Sequence, residues 1–180
     1  MPDRYPWYEV TDEPAILQGD MLRDCPILKP TMKVFCREAI PAAWEEDVRC
    51  QTYDVVVMSQ SCDIVSEKVR LVLLCPYSRL GEMAEINPLL RRAEMREKVR
   101  RGEVFGYHML NRCEFNEFHD DFLIVDFRNV YSLPLEFLKS FVLQTPRRLR
   151  LLPPYREHLS QAFARFFMRV GLPTEIPRFT

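Results

Sequence analysis

The strongest constraint on the fold is a hydrophobic hexapeptide, Tyr53-Asp54-Val55-Val56-Val57-Met58, and its echo at Arg70-Leu71-Val72-Leu73-Leu74-Cys75. A β-branched run too short for a helix and apolar at successive positions suits a strand buried on both faces. The second run is its expected neighbour. The residues between them, 59–68, are polar and read as a loop at one end of the sheet. Ser78, a few residues past the second run, is expected to emerge at the same rim as that loop.

Other strand formers flank this pair. They are 16–22, ending in Asp24-Cys25-Pro26, then 31–36, 105–110 and 122–131. Residues 1–14 carry three prolines beside Tyr5, Trp7 and Tyr8, and read as an extended arm that packs by its aromatics. Three helices are expected. One covers 89–101. One covers 134–142, with Ser132 as N-cap. The third is opened by Pro153-Pro154 and closed at Gly171. In this last helix Tyr155, Leu159, Ala162, Phe163, Phe166, Phe167 and Val170 form one apolar stripe, with Arg156, Arg165 and Arg169 off it.

With 180 residues, 47% apolar and 28% charged, the chain has the makings of one globular domain. Its expected layout is an arm over 1–14, a sheet domain over 15–131 with a helical insertion at 88–101, and C-terminal helices over 132–180. The net charge of -1 gives no bulk pull toward nucleic acid or membrane. Charge is nevertheless segregated. Basic residues gather at 88–101 and again over 147–180, and acidic ones at 45–47 and 114–121. The acidic, proline-bearing start is no signal peptide, and no apolar run is long enough to span a bilayer, so a cytoplasmic location without membrane contact is expected. Six irregularly spaced cysteines make no C-x-x-C pair. They are expected to be reduced and buried, with no metal and no cofactor. With only five glycines, neither a P-loop nor G-x-G-x-x-G is present.

The string Ser59-Gln60-Ser61-Cys62-Asp63 puts hydroxyl, amide, thiol and carboxylate side by side at a sheet end. It is either a binding site or a polar turn in which Cys62 is a small buried filler. A reactive thiolate would need a basic partner, and His108, at the end of a strand, is the candidate. His108, Cys113 and His119 have only loose metal-ligand spacing.

The order of features resembles the MazF/PemK-like toxin family over residues 16–79. The matching features are an early Gly19-Asp20-Met21, the run Val55-Val56-Val57-Met58-Ser59, and then Leu73-Leu74-Cys75-Pro76-Tyr77-Ser78. The resemblance implies an α+β chain built on a small SH3-like β-barrel with appended helices, the C-terminal one packed on the barrel. It also implies single-stranded RNA cleavage by an arginine and a hydroxyl residue, a homodimer, and a protein partner. The hydroxyl falls on Ser78. The arginine position holds Tyr53 and the following proline position Asp54, and a carboxylate cannot stabilise a phosphorane-like anion as guanidinium does. Arg79 or Arg49 would have to substitute in space. The expected function is therefore a non-catalytic accessory or protein-interaction module, set in a toxin–antitoxin or phage-defence system. The alternatives are a sequence-selective endoribonuclease using Ser78 with Arg79 or Arg49, its basic helices on phosphate, and a Cys62-dependent hydrolase. Gly19, Asp20, Ser59, Gln60, Ser61, Cys62, Asp63 and His108 are the expected binding residues.

Overall fold

A computed structural model describes residues 5–30, 48–118 and 121–168. The expected strand at 31–36, together with Cys36, His119, Arg169, Val170 and Gly171, lies outside them. The chain runs β1 (Tyr8–Thr11), β2 (Asp20–Pro30), β3 (Val48–Val57), α1 (Ser61–Val65), β4 (Leu71–Arg79), α2 (Leu80–Ile86), a 3-10 turn (Pro88–Arg91) and α3 (Ala93–Arg100). There follow β5 (Tyr107–Leu110), a second 3-10 turn (Asn116–Phe118), β6 (Leu123–Asp126), β7 (Tyr131–Pro134), α4 (Leu135–Gln144), β8 (Arg148–Leu151) and α5 (Tyr155–Phe167).

All eight strands join one antiparallel sheet in the order β1-β8-β2-β3-β4-β6-β5, with β7 also on β4. The class is α+β, but the sheet is open. Strand pairing does not close a barrel among the described residues, because β1 and β5 have no pairing to each other. The two ends do approach. Tyr8 Oη, on β1, donates to the Asn111 carbonyl just past β5 at 2.6 Å, so one side-chain bond stands where a ladder would otherwise be.

The expected buried pair is present as β3 and β4, with Val55, Val56 and Val57 fully buried. Period-2 alternation divides their side chains between two cores. Val56, Cys75 and Tyr77 face one that α5 covers through Leu159, Ala162, Phe163 and Phe166. Val55, Val57, Val72 and Leu74 face the other, which α4 covers through Leu135, Leu138 and Val142. A third cluster fixes α2 and α3 on β5 and β6. Burying a side chain the size of Leu159 contributes about 1.5–3 kcal/mol, which is why the stripe on α5 holds it in place. Phe167 lies outside that stripe and is exposed. Of the expected N-terminal arm, Trp7 stacks on Tyr155 at 3.6 Å, and Tyr8–Thr11 form a strand of the sheet, β1, paired with β8.

Several expectations are corrected. The expected strand over 122–131 is two, β6 and β7, because the Asp126 carboxylate accepts from Arg128 N and Asn129 Nδ2 and turns the chain. Ser132 lies inside β7 and caps nothing; Pro134 precedes α4. The polar loop after β3 contains α1, and the C-terminal third supplies a strand, β8, as well as helices. Cys25, Cys75 and Cys113 are buried, but Cys50 and Cys62 are exposed, so Cys62 is not a core filler.

Candidate functional site

Gly19 and Asp20, two of the expected binding residues, are engaged within the sheet. Asp20 is fully buried and bonds the Arg148 guanidinium at 2.8 Å and that of Arg150 at 2.6 Å, both buried too. Burial pulls the Arg150 guanidinium down, but Asp20 and Glu13 outweigh it and the net shift is upward. Both guanidiniums also donate to the Ala15 carbonyl. Gly19 adopts φ +88, and a Cβ there would meet the Leu151 carbonyl at 3.0 Å. The Gly-Asp pair therefore locks β2 against β8.

Ser78 and Arg79 belong to the β4–β6 pair and Arg49 to the β2–β3 pair. After Pro76, β4 leaves β3 and pairs with β6, so Ser78 sits opposite Ile124. Arg79 N and Nη1 donate to the Glu82 carboxylate at the start of α2. Arg49 pairs across from Lys29, on the part of β3 that β2 borders, before the stretch where β4 pairs with β3. Ser78 does not share a rim with the Ser59–Asp63 segment. Ser59 Oγ accepts from Leu73 N, at the opening end of β4, and five residues of strand, about 16 Å, separate that point from Ser78. Antiparallel pairing dictates this: the connection that enters β4 lies at the pole opposite the one where β4 ends.

The Ser59–Asp63 segment instead meets α5. Ser61 Oγ accepts from Gln18 N at 3.0 Å. Gln18 Nε2 donates to the Met58 carbonyl at 2.8 Å and to Ser160 Oγ at 3.4 Å, and Gln60 Nε2 reaches the same Ser160 Oγ at 3.3 Å. These residues, with Cys62, Arg156, Glu157 and Gln161, bound an open polar pocket of about 400 Å³. Cys62 Sγ donates to the Asp63 carboxylate at 3.7 Å. His108 lines a different cleft, so the structure does not bring Cys62 and His108 together.

That second cleft is the most chemically distinctive feature. It holds about 330 Å³ between α3 and α5, and Arg100, Arg101, Arg165, His108, His158 and Tyr107 are among its walls. Among the described residues no carboxylate lines it. Behind it, Glu97 alone bonds both Arg100, at 2.6 Å, and Arg101, at 2.8 Å, and those bonds draw its carboxyl down to about 2. Glu103 stands off at 3.9 Å from Arg101. Three guanidiniums against these two carboxylates leave positive charge facing the cavity, and Arg165 has no ionic partner among the described residues. Burial, with help from the neighbouring His158, holds the His108 imidazole down at about 4, so it is neutral at pH 7. Exposed Phe105 stands at the wall. Gln161, on α5, borders both cavities.

Sequence reasoning marked the two basic segments as separate solvated faces or phosphate binders and had no means of showing that they converge. It passed over Gln18, Glu157, Ser160 and Gln161 entirely. Among the described residues no cluster of three His, Cys, Asp or Glu is arranged to hold a metal ion. No helix among them is long and apolar enough to cross a membrane. No protein-family model matches the chain, and no curated protein matches it significantly.

Proposed function

We propose that this chain is a non-catalytic MazF/PemK-like module that binds single-stranded RNA through the α3–α5 cleft. The convergence of Arg100, Arg101 and Arg165 on a cavity without a lining carboxylate carries the reading. Guanidinium forks match phosphate oxygens. The engagement of Arg79 by Glu82 speaks for binding without cleavage at the family positions. The SH3-like ancestry belongs to the same proposal, supported by the approach of β1 to the end of β5.

Fluorescence anisotropy with a labelled 12-nucleotide RNA tests it. Affinity should fall with salt by about 0.7 log unit per log unit for each phosphate neutralised. The double variant Arg101→Glu/Arg165→Glu should lose at least tenfold in affinity, Ser78→Ala should lose nothing, and the RNA should stay intact. Absent binding, or indifference to the charge reversals, would overturn the proposal.

A second reading, a protein partner in the form of a homodimer, is favoured by a groove of about 380 Å³ beside α1 and α4. There Val65 is 63% and Leu143 68% exposed. Light scattering of wild type beside Val65→Asp/Leu143→Asp decides it: a dimer that the variant dissociates supports it, and a wild-type monomer removes it.

A further inference from the structure

The two walls of the cationic cleft are fixed by one short strand. On β5, Tyr107 packs in the cluster that holds Val99 of α3, and Leu110 in the core that holds Leu159 of α5. Arg100 and Arg101, at the C-terminal end of α3, therefore meet Arg165 of α5 around a single cavity of about 330 Å³. That volume is near the small end of ligand pockets, so the cleft takes one residue of a chain rather than a length of it.

The donors around this cavity are largely unspent. A guanidinium carries five N–H donors. Arg100 gives Glu97 one from Nε and one from Nη2, at 2.7 and 2.6 Å. Arg101 gives it one from Nε at 2.8 Å, and Glu103, 3.9 Å away, is beyond hydrogen-bond distance. The Arg165 guanidinium has no hydrogen bond or ion pair among the described residues. Three guanidiniums on one residue-sized cavity are more than a single phosphodiester can use. An internal diester brings two unesterified oxygens and one negative charge. A terminal phosphomonoester brings three such oxygens and about 1.5–2 negative charges at pH 7. A chain end also enters through one opening, whereas an internal residue needs room for both of its neighbours.

We infer that the α3–α5 cleft holds the terminal phosphomonoester of a single-stranded RNA. Arg165 commits its whole fork to that group, and the remaining donors of Arg100 and Arg101 close on it from the opposite helix. The inference rests on the RNA-binding reading above and narrows it from a strand to a strand end.

Three internally labelled 12-nucleotide RNAs of one sequence test it: one with a 5′-phosphate, one with a 3′-phosphate and one with hydroxyls at both ends. In anisotropy titrations at one salt concentration, the wild type should bind a phosphate-ended strand about tenfold tighter than the hydroxyl-ended one, or about 1.4 kcal/mol. The arm that gains identifies the end. Arg165 is exposed, and Arg165→Gln should bring the ratio close to one. Lys139→Gln removes the same charge from α4, which packs on the other core, and should leave the ratio unchanged. Circular dichroism verifies that each variant is folded. Equal wild-type affinity for all three strands, a ratio that survives in folded Arg165→Gln, or one that Lys139→Gln abolishes as well, would overturn the inference and leave RNA binding standing. Failure to bind any of the three would overturn the RNA reading and this one with it.

Discussion

The Asp20 carboxylate lies 2.8 Å from the Arg148 guanidinium, with both side chains at 2% exposure or less. This contact joins residues 128 positions apart and fastens β8 into the sheet between β1 and β2. Removing one member of a buried ion pair strands the other charge in a low dielectric, at a cost of about 3–5 kcal/mol. Asp20→Asn leaves the buried Arg148 charge without its carboxylate, while Arg150 keeps Glu13, and should destabilise the chain by that amount. Urea denaturation followed by far-UV circular dichroism checks it. A loss below 1 kcal/mol would mean that water reaches this cluster.

Gly19 and Gly81 form a matched test of backbone demands. At Gly19 a side chain meets both a left-handed φ of +88 and the Leu151 carbonyl at 3.0 Å. Gly19→Ala should therefore lose about 1–3 kcal/mol. Gly81, in the first turn of α2, has nothing within 4 Å of a built Cβ. Gly81→Ala should gain up to about 1 kcal/mol through helix propensity and a less free unfolded chain. Opposite signs for the same substitution, read as melting-temperature shifts, are the expected result.

The contrast between β3 and β8 shows what the sequence makes legible. Val55-Val56-Val57 announces a buried strand because apolar residues have one stable place to go. Arg148-Leu149-Arg150-Leu151 alternates as a strand does, yet its charge suggests solvent. Only the distant Asp20, Glu13 and the Ala15 carbonyl make burial of its arginines tolerable. The prolines before α5 and its apolar face were readable for the same local reason as β3. The α3–α5 cleft was not, because it depends on which faces of two basic segments meet, and that is fixed by packing against β5 and β6. The separation of Ser78 from Ser59 was within reach, since two adjacent antiparallel strands place a linking turn and the second strand's far end at opposite poles.

The cysteines should divide by burial. Desolvation pushes the Cys25 thiol up to about 12, and burial together with the Asp126 carboxylate does the same at Cys75. The thiolate is the reactive species, so these two are inert in the folded state. Cys113 is buried as well, while Cys50 and Cys62 are exposed. In a Cys36→Ser background, Ellman's reagent at pH 8 should titrate Cys50 and Cys62 in the native protein. The other three should react only after denaturant is added. Fast labelling of Cys25 or Cys75 would show that the β2–β3–β4 core opens on the timescale of the reaction.

His108 sets the acid limb of stability. Its imidazole titrates at about 4 when folded, against an ordinary 6.5. Between those values the unfolded chain takes up a proton that the folded chain refuses. Stability is therefore lost as pH falls from about 6.5 to 4 and is unaffected by this group above pH 7. At 1.36 kcal/mol per unit the full effect is on the order of 3 kcal/mol. Asp126 does not mask it. Burial raises that carboxyl, but its bonds to Arg128 and Asn129 outweigh burial and move its titration below the usual carboxylate range. His108→Gln should flatten the denaturation midpoint between pH 7 and pH 4.5. A bound phosphate in the cleft should favour the imidazolium and raise the His108 pKa, so RNA binding at pH 5.5 should take up protons. Calorimetry in two buffers of different ionisation enthalpy measures that uptake, and His108→Gln should reduce it. Undiminished uptake in the variant would show that His108 is not the group that takes up the proton.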